Sequence, residues 1–291
     1  MADIKSTGSA TVSTAKTAVA HATAQGNKTR KGSNVLATLA IPICLIIAIL
    51  FWKFVLGNPA NFAPGSLNSP EPKALNYAGT VYTGGFIVPI LICLLLLVIT
   101  FLIERVFTIS KAKGKVKPTE FLRRVQYNLA NKNVDSAIAE CDKQQGSVGN
   151  VMRSGLKKYK EMTTNTELTT EQKVINIQNE IEEATTLELP MLEKNLVFLS
   201  TIASCATLMG LLGTVLGMIR AFKALSDTGG TDSTMLALGI AEALVNTALG
   251  IATSFLAIIF YNYFTTQIDG ITYGIDETGY TLTQSFAAHY K

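Results

Sequence analysis

Gly210-Leu-Leu-Gly-Thr-Val-Leu-Gly217 and Gly239-Ile-Ala-Glu-Ala-Leu-Val-Asn-Thr-Ala-Leu-Gly250 are the two segments that decide how this chain folds. Each lies in a long apolar run, and the two runs, together 195–264, are separated by a short polar turn, Lys223–Ser233. Gly210, Gly213 and Gly217 fall at i, i+3 and i+7, one face of a helix. Small residues on such a face let a second backbone approach closely inside a membrane. On the second run Gly239, Ala243, Asn246/Thr247, Gly250 and Ser254 share a face, and Glu242 borders it. A carboxylate in an apolar segment is expensive and needs a partner or water. Such faces suit either the wall of a wetted passage or a tight bundle seam.

Working outward, the 291-residue chain has only 16% charged residues and a mean hydropathy of +0.31. That composition excludes an ordinary soluble domain and suits a polytopic all-α membrane protein. Cys44, Cys93, Cys141 and Cys205 are too scattered for a disulfide framework or a metal site. The net charge of +4 is small, and nothing in it points to a nucleic-acid partner.

Residues 1–34 carry no apolar period and read as a disordered tail. Val35–Leu56 is a first span, too long for the apolar stretch of a signal peptide. Residues 57–83 hold Pro59, Pro64, Pro70 and Pro72 and are expected to form an irregular loop. Residues 84–108 form a second span, closed by Glu104-Arg105 and followed by Lys111, Lys113, Lys115 and Lys117. Basic flanks mark the cytoplasmic side. This puts the N-terminus inside, the 57–83 loop in the periplasm, and residues 109–194 in the cytoplasm. The third and fourth spans then form a hairpin, and 265–291 is a cytoplasmic tail.

The block 109–194 reads as helical. Thr119 is expected to cap Glu120–Asn131, Asn133 to cap Val134–Gln145, and a third helix to cover Ser147–Met162. Thr169-Thr170-Glu171-Gln172 has capping-box spacing. A helical pattern then runs to Phe222, about 50 residues or roughly 80 Å, with a kink expected at Pro190. Residues 111–160 carry twelve Lys/Arg against four Asp/Glu, and 161–193 carry eight Glu against one Lys. The two halves either neutralise each other by antiparallel packing or present separate solvated faces.

No catalytic set is present. The glycines of 210–217 lack the lysine of a phosphate-binding loop, and the histidines, His21 and His289, lie near the two ends of the chain. No cofactor or metal is expected. A charge crossing the membrane delivers about 2.3 kcal/mol per 100 mV, so ion-coupled work needs no nucleotide. Glu242 is open to two readings, a structural carboxylate paired with a neighbouring subunit or held protonated, or a group near the outer mouth of an ion path. Thr214 and Thr247 cannot titrate. They can bond their own backbone, or orient water and a partner's acid.

Several stretches, in order, resemble the ExbB/TolQ/MotA family of inner-membrane proton channels, most closely its ExbB branch. They are Gly-Gly-Phe-Ile-Val-Pro-Ile to Ile-Glu-Arg in 84–105, Asp135 to Asp142, Val151 to Leu156, the two glycine segments, and Tyr261-Asn-Tyr-Phe. The resemblance covers about 80–291. It implies a ring of identical subunits, a pentamer, enclosing a single-span ExbD-like partner whose membrane aspartate titrates. It implies that proton flow drives work passed through a TonB-like protein to outer-membrane import. It also implies that Thr214 and Thr247 face that aspartate, that Glu242 is the channel glutamate, and that Asn246 adds a polar group to the pore. A TolQ-like envelope role, a MotA-like stator and a non-conducting scaffold are the alternatives. The sequence departs from the family pattern at Thr207, Asn246 and Ser254-Phe255. The first span lies outside the resemblance and is expected at the periphery of the ring.

Overall fold

A computed structural model of the protein describes residues 31–66, 73–227 and 233–290. Most of the expected disordered tail 1–34 lies outside the described residues, as do the tips of the 57–83 loop and of the 223–233 turn. The described structure is all-α, with a single isolated bridge between Phe62 and Ala74. Among the described residues four helices are long and apolar enough to cross a membrane, within Leu39–Leu56, Ile87–Ala112, Thr170–Asp227 and Leu236–His289.

Helix α1 (Lys31–Leu50) continues into a π-helical turn, Phe51–Leu56, closed by Gly57 N–H donating to Trp52 O at 2.9 Å. It packs through Cys44 and Ala48, which are buried, while Ile46, Phe51, Phe54 and their neighbours stay exposed. A single narrow contact stripe and an otherwise apolar surface are what a lipid-facing peripheral helix requires.

The 57–83 segment is more ordered than its prolines suggest. Asn61 Nδ2 donates to the carbonyls of Val55 and Leu56 at 2.8 and 2.9 Å, and Asn76 Oδ1 caps α2 (Tyr77–Thr83) by accepting from Gly79 N at 3.0 Å. Trp52 and Tyr82 stack with centroids 4.7 Å apart, tying α2 to the end of α1. Gly84-Gly85 then turn the chain, Gly85 with φ +75°, so α3 starts at Ile87 and runs to Ala112.

Outside the spans, α4 (Pro118–Ala130), α5 (Val134–Gln144), α6 (Gly146–Thr164) and α7 (Thr170–Glu193) form a bundle. Thr119 is not the cap of α4; Lys117 holds that place and Pro118 occupies the first turn, where its missing N–H costs nothing. Asn133 does cap α5, accepting from Ser136 N at 3.0 Å, and the Thr169/Gln172 capping box forms on α7. Helices α6 and α7 pack through Met152, Leu156, Ile177 and Ile181 rather than through charge. Among the described residues no ion pair joins the basic segment 111–160 to the acidic residues of α7, and Asn150 Nδ2 reaches Glu188 Oε1 at 2.9 Å. The basic segment instead pairs internally, as in Arg124 with Glu120 and Glu140.

The long helix expected from Thr170 to Phe222 is broken at Lys194-Asn195, four residues beyond Pro190, and α8 covers Leu196–Asp227. Side chains of α3 contact both sides of the break. Arg105, 2% exposed, donates from Nη1 to Leu192 O at 2.7 Å, and Asn195 Nδ2 donates to Glu104 Oε2 at 3.0 Å. A carbonyl engaged by a guanidinium is free to leave the helical ladder.

The expected C-terminal tail 265–291 is not a separate element. Helix α9 runs unbroken from Ser233 to His289, and Ile268, Ile271, Ile275, Leu282 and Phe286 are buried against the bundle. Gly155 of α6 admits this helix, since a Cβ there would lie 2.8 Å from Ile181 Cγ1 and 2.9 Å from Leu282 Cδ2.

Candidate functional site

Helices α8 and α9 form an antiparallel hairpin whose seam is made of glycine and alanine. A Cβ on Gly250 would sit 2.6 Å from Ala206 O, one on Gly239 2.5 Å from Ala221 Cβ, and one on Gly217 3.0 Å from Ala243 Cβ. Gly210 faces Asn246 O and the Cα of Gly250, and Gly213 lies directly against the side chain of Asn246. The five glycines therefore bring the two backbones of one hairpin together. Their face is a seam within the subunit and not the wall of a passage.

Asn246 belongs to that seam. It is fully buried, and its Nδ2 donates to Gly84 O at 2.9 Å. Within the subunit this bond ties α9 to the corner before α3, while the buried Oδ1 of the same side chain has no hydrogen-bond partner among the described residues. Glu242 lies on the same flank, paired with Arg220, whose guanidinium stands 5.8 Å from the Phe86 ring centroid. A Cβ on Gly85 would come within 2.8 Å of Glu242 Oε1 and 3.2 Å of Arg220 Nη1, so this corner must be glycine. Within the subunit Glu242 thus has a partner in its own chain, Arg220. Arg220 was missed at the sequence level, although it stands near the polar end of an apolar run.

The two threonines occupy the other flank. Five residues separate Glu242 from Thr247, which turns them about 140° apart on α9. Thr247 Oγ1 donates across the seam to Gly210 O at 3.3 Å, and Thr214 Oγ1 donates back to Leu211 O at 2.6 Å. Thus the structure brings Thr214 and Thr247 together at one edge of the seam and leaves Glu242 and Asn246 at the opposite edge.

This edge continues as a feature the sequence reading did not extract. Ser200, Thr207 and Thr214 recur every seven residues on α8, and Thr247, Ser254 and Tyr261 do so on α9. Seven residues make nearly two turns, so each set forms a row with about 20° of drift per step. Between the lower parts of these rows lies a groove of about 300 Å³, lined by Ser200, Ser204, Thr207, Ser254 and Tyr261 together with Ala203 and Ile258. Each row spans about 21 Å, two thirds of a hydrocarbon core of about 30 Å. A spacing search at seven residues for Ser, Thr and Tyr would have found both.

Chemically the edge offers hydroxyl groups that accept and donate hydrogen bonds and do not ionise in the physiological range. Among the described residues no group of three or more His, Cys, Asp or Glu could hold a metal ion.

The family model described as the MotA/TolQ/ExbB proton channel family matches residues 143–277. This range contains all of α6, α7 and α8, most of α9, and both hydroxyl rows. The Tol-Pal system protein TolQ of Haemophilus influenzae is 40% identical over 84 residues, 29% of this chain and 37% of that protein. The biopolymer transport protein ExbB of Pseudomonas putida is 43% identical over 72 residues, 25% and 22% of the two chains. A putative biopolymer transport protein ExbB homolog of Methanothermobacter thermautotrophicus is 24% identical over 200 residues, 67% of this chain and 66% of that one. The first two similarities thus span well under half of the relatives' length. The hairpin, the seam and the threonine pair all lie inside the matched segment, so it is through residues 143–277 that this chain is similar to the MotA/TolQ/ExbB proton channel family.

Proposed function

We propose that the protein is an ExbB-like channel-forming subunit that, as a ring of identical copies, guides protons along its hydroxyl edge and turns the proton motive force into mechanical work. The observation that carries this reading is the pair of seven-residue hydroxyl rows, Ser200/Thr207/Thr214 and Thr247/Ser254/Tyr261, on one edge of a tightly closed hairpin. Hydroxyls orient water and bond an acid, and they supply no titrating group of their own. The carrier is then a carboxylate from another chain, a single-span ExbD-like subunit enclosed by the ring, and a TonB-like protein receives the work. Side chains that bond within a membrane interior hold a pathway in place without the cost of burying a charge.

Lysines 111, 113, 115 and 117, at and beyond the end of α3, favour an orientation with the α4–α7 bundle and both termini in the cytoplasm and the α2 corner outside. In this arrangement the Arg220–Glu242 pair stands at the outer end of the hairpin. It acts there by fixing the hairpin to the Gly84–Gly85 corner. A TolQ-like partner system is the second reading, favoured by the 40% identity to a TolQ protein.

The test is co-expression with a single-span ExbD-like protein, followed by purification and proton flux in liposomes. Thr214→Val and Thr247→Val are expected to leave the assembled complex intact on gel filtration and to abolish flux. Unaltered flux in both variants would remove the threonines from the pathway. A neighbour belonging to a Tol-Pal operon would select the TolQ-like reading.

A further inference from the structure

We infer that Glu193 and Asp269 form the inner mouth of the proton path, taking up or releasing protons at the end of the hydroxyl groove. The inference rests on the channel reading above and extends it to residues outside the threonine pair. The groove beside Ser254 does not end at Tyr261. A second groove of about 330 Å³ shares Ser200 and Tyr261 with it and continues along Thr201 and Thr265 to Glu193 and Asp269. Two cavities with two lining residues in common make one polar trough, running from Thr207 and Ser254 to a pair of carboxylates.

The two acids come from different elements, Glu193 from the end of α7 and Asp269 from α9, and both are exposed. Both line the same groove, at the end away from Ser254. Along the trough's membrane part the polar groups are hydroxyls, and the carboxylates stand only at its end. Free protons at neutral pH are scarce, so a narrow path exchanges them with bulk water through groups that titrate and through a field that concentrates cations. In each cycle a carboxylate accepts one proton from the last water of the trough and passes it to bulk water, with no net change in the protein. The reverse sequence serves inward loading.

The experiment compares the partner-containing complex in liposomes with Glu193→Gln, Asp269→Asn and the double variant, with Glu167→Gln as an exposed control away from the trough. Flux is scaled to the amount of complex recovered at its gel-filtration volume. The double variant is expected to lose at least about tenfold in flux, Glu167→Gln to lose none, and Asp269→Glu to retain it. Equal flux in the double variant and the parent overturns the inference and leaves the channel reading standing. A correctly assembled parent complex without proton flux overturns the channel reading and this inference together.

Discussion

Arg105 on α3 donates to the carbonyl of Leu192, 87 residues away on α7, at 2.7 Å. The guanidinium is 2% exposed, and its other edge makes a two-point ion pair with Glu104, which also accepts from Asn195 and Thr108. One buried cation therefore holds together the end of a span, the end of a bundle helix and the start of the hairpin. Arg105→Met is expected to destabilise the protein by about 3–5 kcal/mol, because it strands Glu104 and the Leu192 carbonyl. Thermal unfolding in detergent, followed by circular dichroism, measures it. Arg105→Lys is expected to recover only part of the loss, since an ammonium cannot make the planar two-point contact.

The glycines of α8 and α9 are not equivalent. A side chain at Gly213 collides with Asn246, so Gly213→Leu is expected to open the hairpin and give aggregated or dissociated protein on gel filtration. Gly270, in the same long helix as Gly250, has open space where a Cβ would stand, with nothing within 4 Å. Gly270→Ala is therefore expected to stabilise by about 0.5–1 kcal/mol through helix propensity alone. A lower melting temperature for Gly270→Ala would contradict an unbroken helix at that point.

Burial pushes the Cys141 thiol and the Tyr159 hydroxyl up, each to about 12. In the unfolded chain these groups ionise near their ordinary values of 9.0 and 10.0. A raised folded-state value means that their contribution is whole below pH 9 and is lost as the pH climbs from 9 towards 12. Chemical denaturation of the detergent-solubilised protein is expected to show a flat stability from about pH 7 to 9 and a fall above it. Cys141, 3% exposed, is also expected to resist maleimide at about pH 8 until the bundle unfolds. Labelling mass spectrometry reads this directly.

The capping box of α7 closes the loop after α6: Gln172 N donates to Thr169 Oγ1 at 3.3 Å, and Thr169 N to Gln172 Oε1 at 3.1 Å. Thr169→Ala is expected to cost about 1 kcal/mol. Thr170 donates from Oγ1 to Tyr290 O at 2.7 Å, so loosening this turn also releases the end of α9. Hydrogen exchange at residues 170–174 and 283–290 is expected to rise together in the variant. An increase confined to 170–174 would show that the two ends are independent.

The four spans, the Asn133 cap and the Thr169 capping box were legible because each is written in local spacing. The C-terminal part of α9 was not, although Phe264, Ile268, Ile271, Ile275, Leu282 and Phe286 follow helical spacing and are buried. Gly270, Gly274 and Gly279 dilute that stripe with poor helix formers, and tertiary packing overrides them. The break at Lys194-Asn195 was legible only as a kink at Pro190, four residues earlier, because the Arg105 and Glu104 contacts at the break come from a helix distant in sequence. The glycine seam was legible as a close-packing face. Which edge of it carries the polar groups depends on the partner helix, and so Glu242 and Asn246 grouped with the threonines in the sequence and separate from them in space.

Helix α9 passes without interruption from the turn end of the hairpin to the far end of the bundle, 57 residues or about 85 Å. A rod of that length, gripped near its middle where membrane gives way to water, behaves as a tiller. A tilt of about 5° at the hairpin swings the opposite tip by about 4 Å, more than a hydrogen bond's length. A displacement at the hairpin is thereby carried to Phe286, at the far end of the same helix, without a hinge to absorb it.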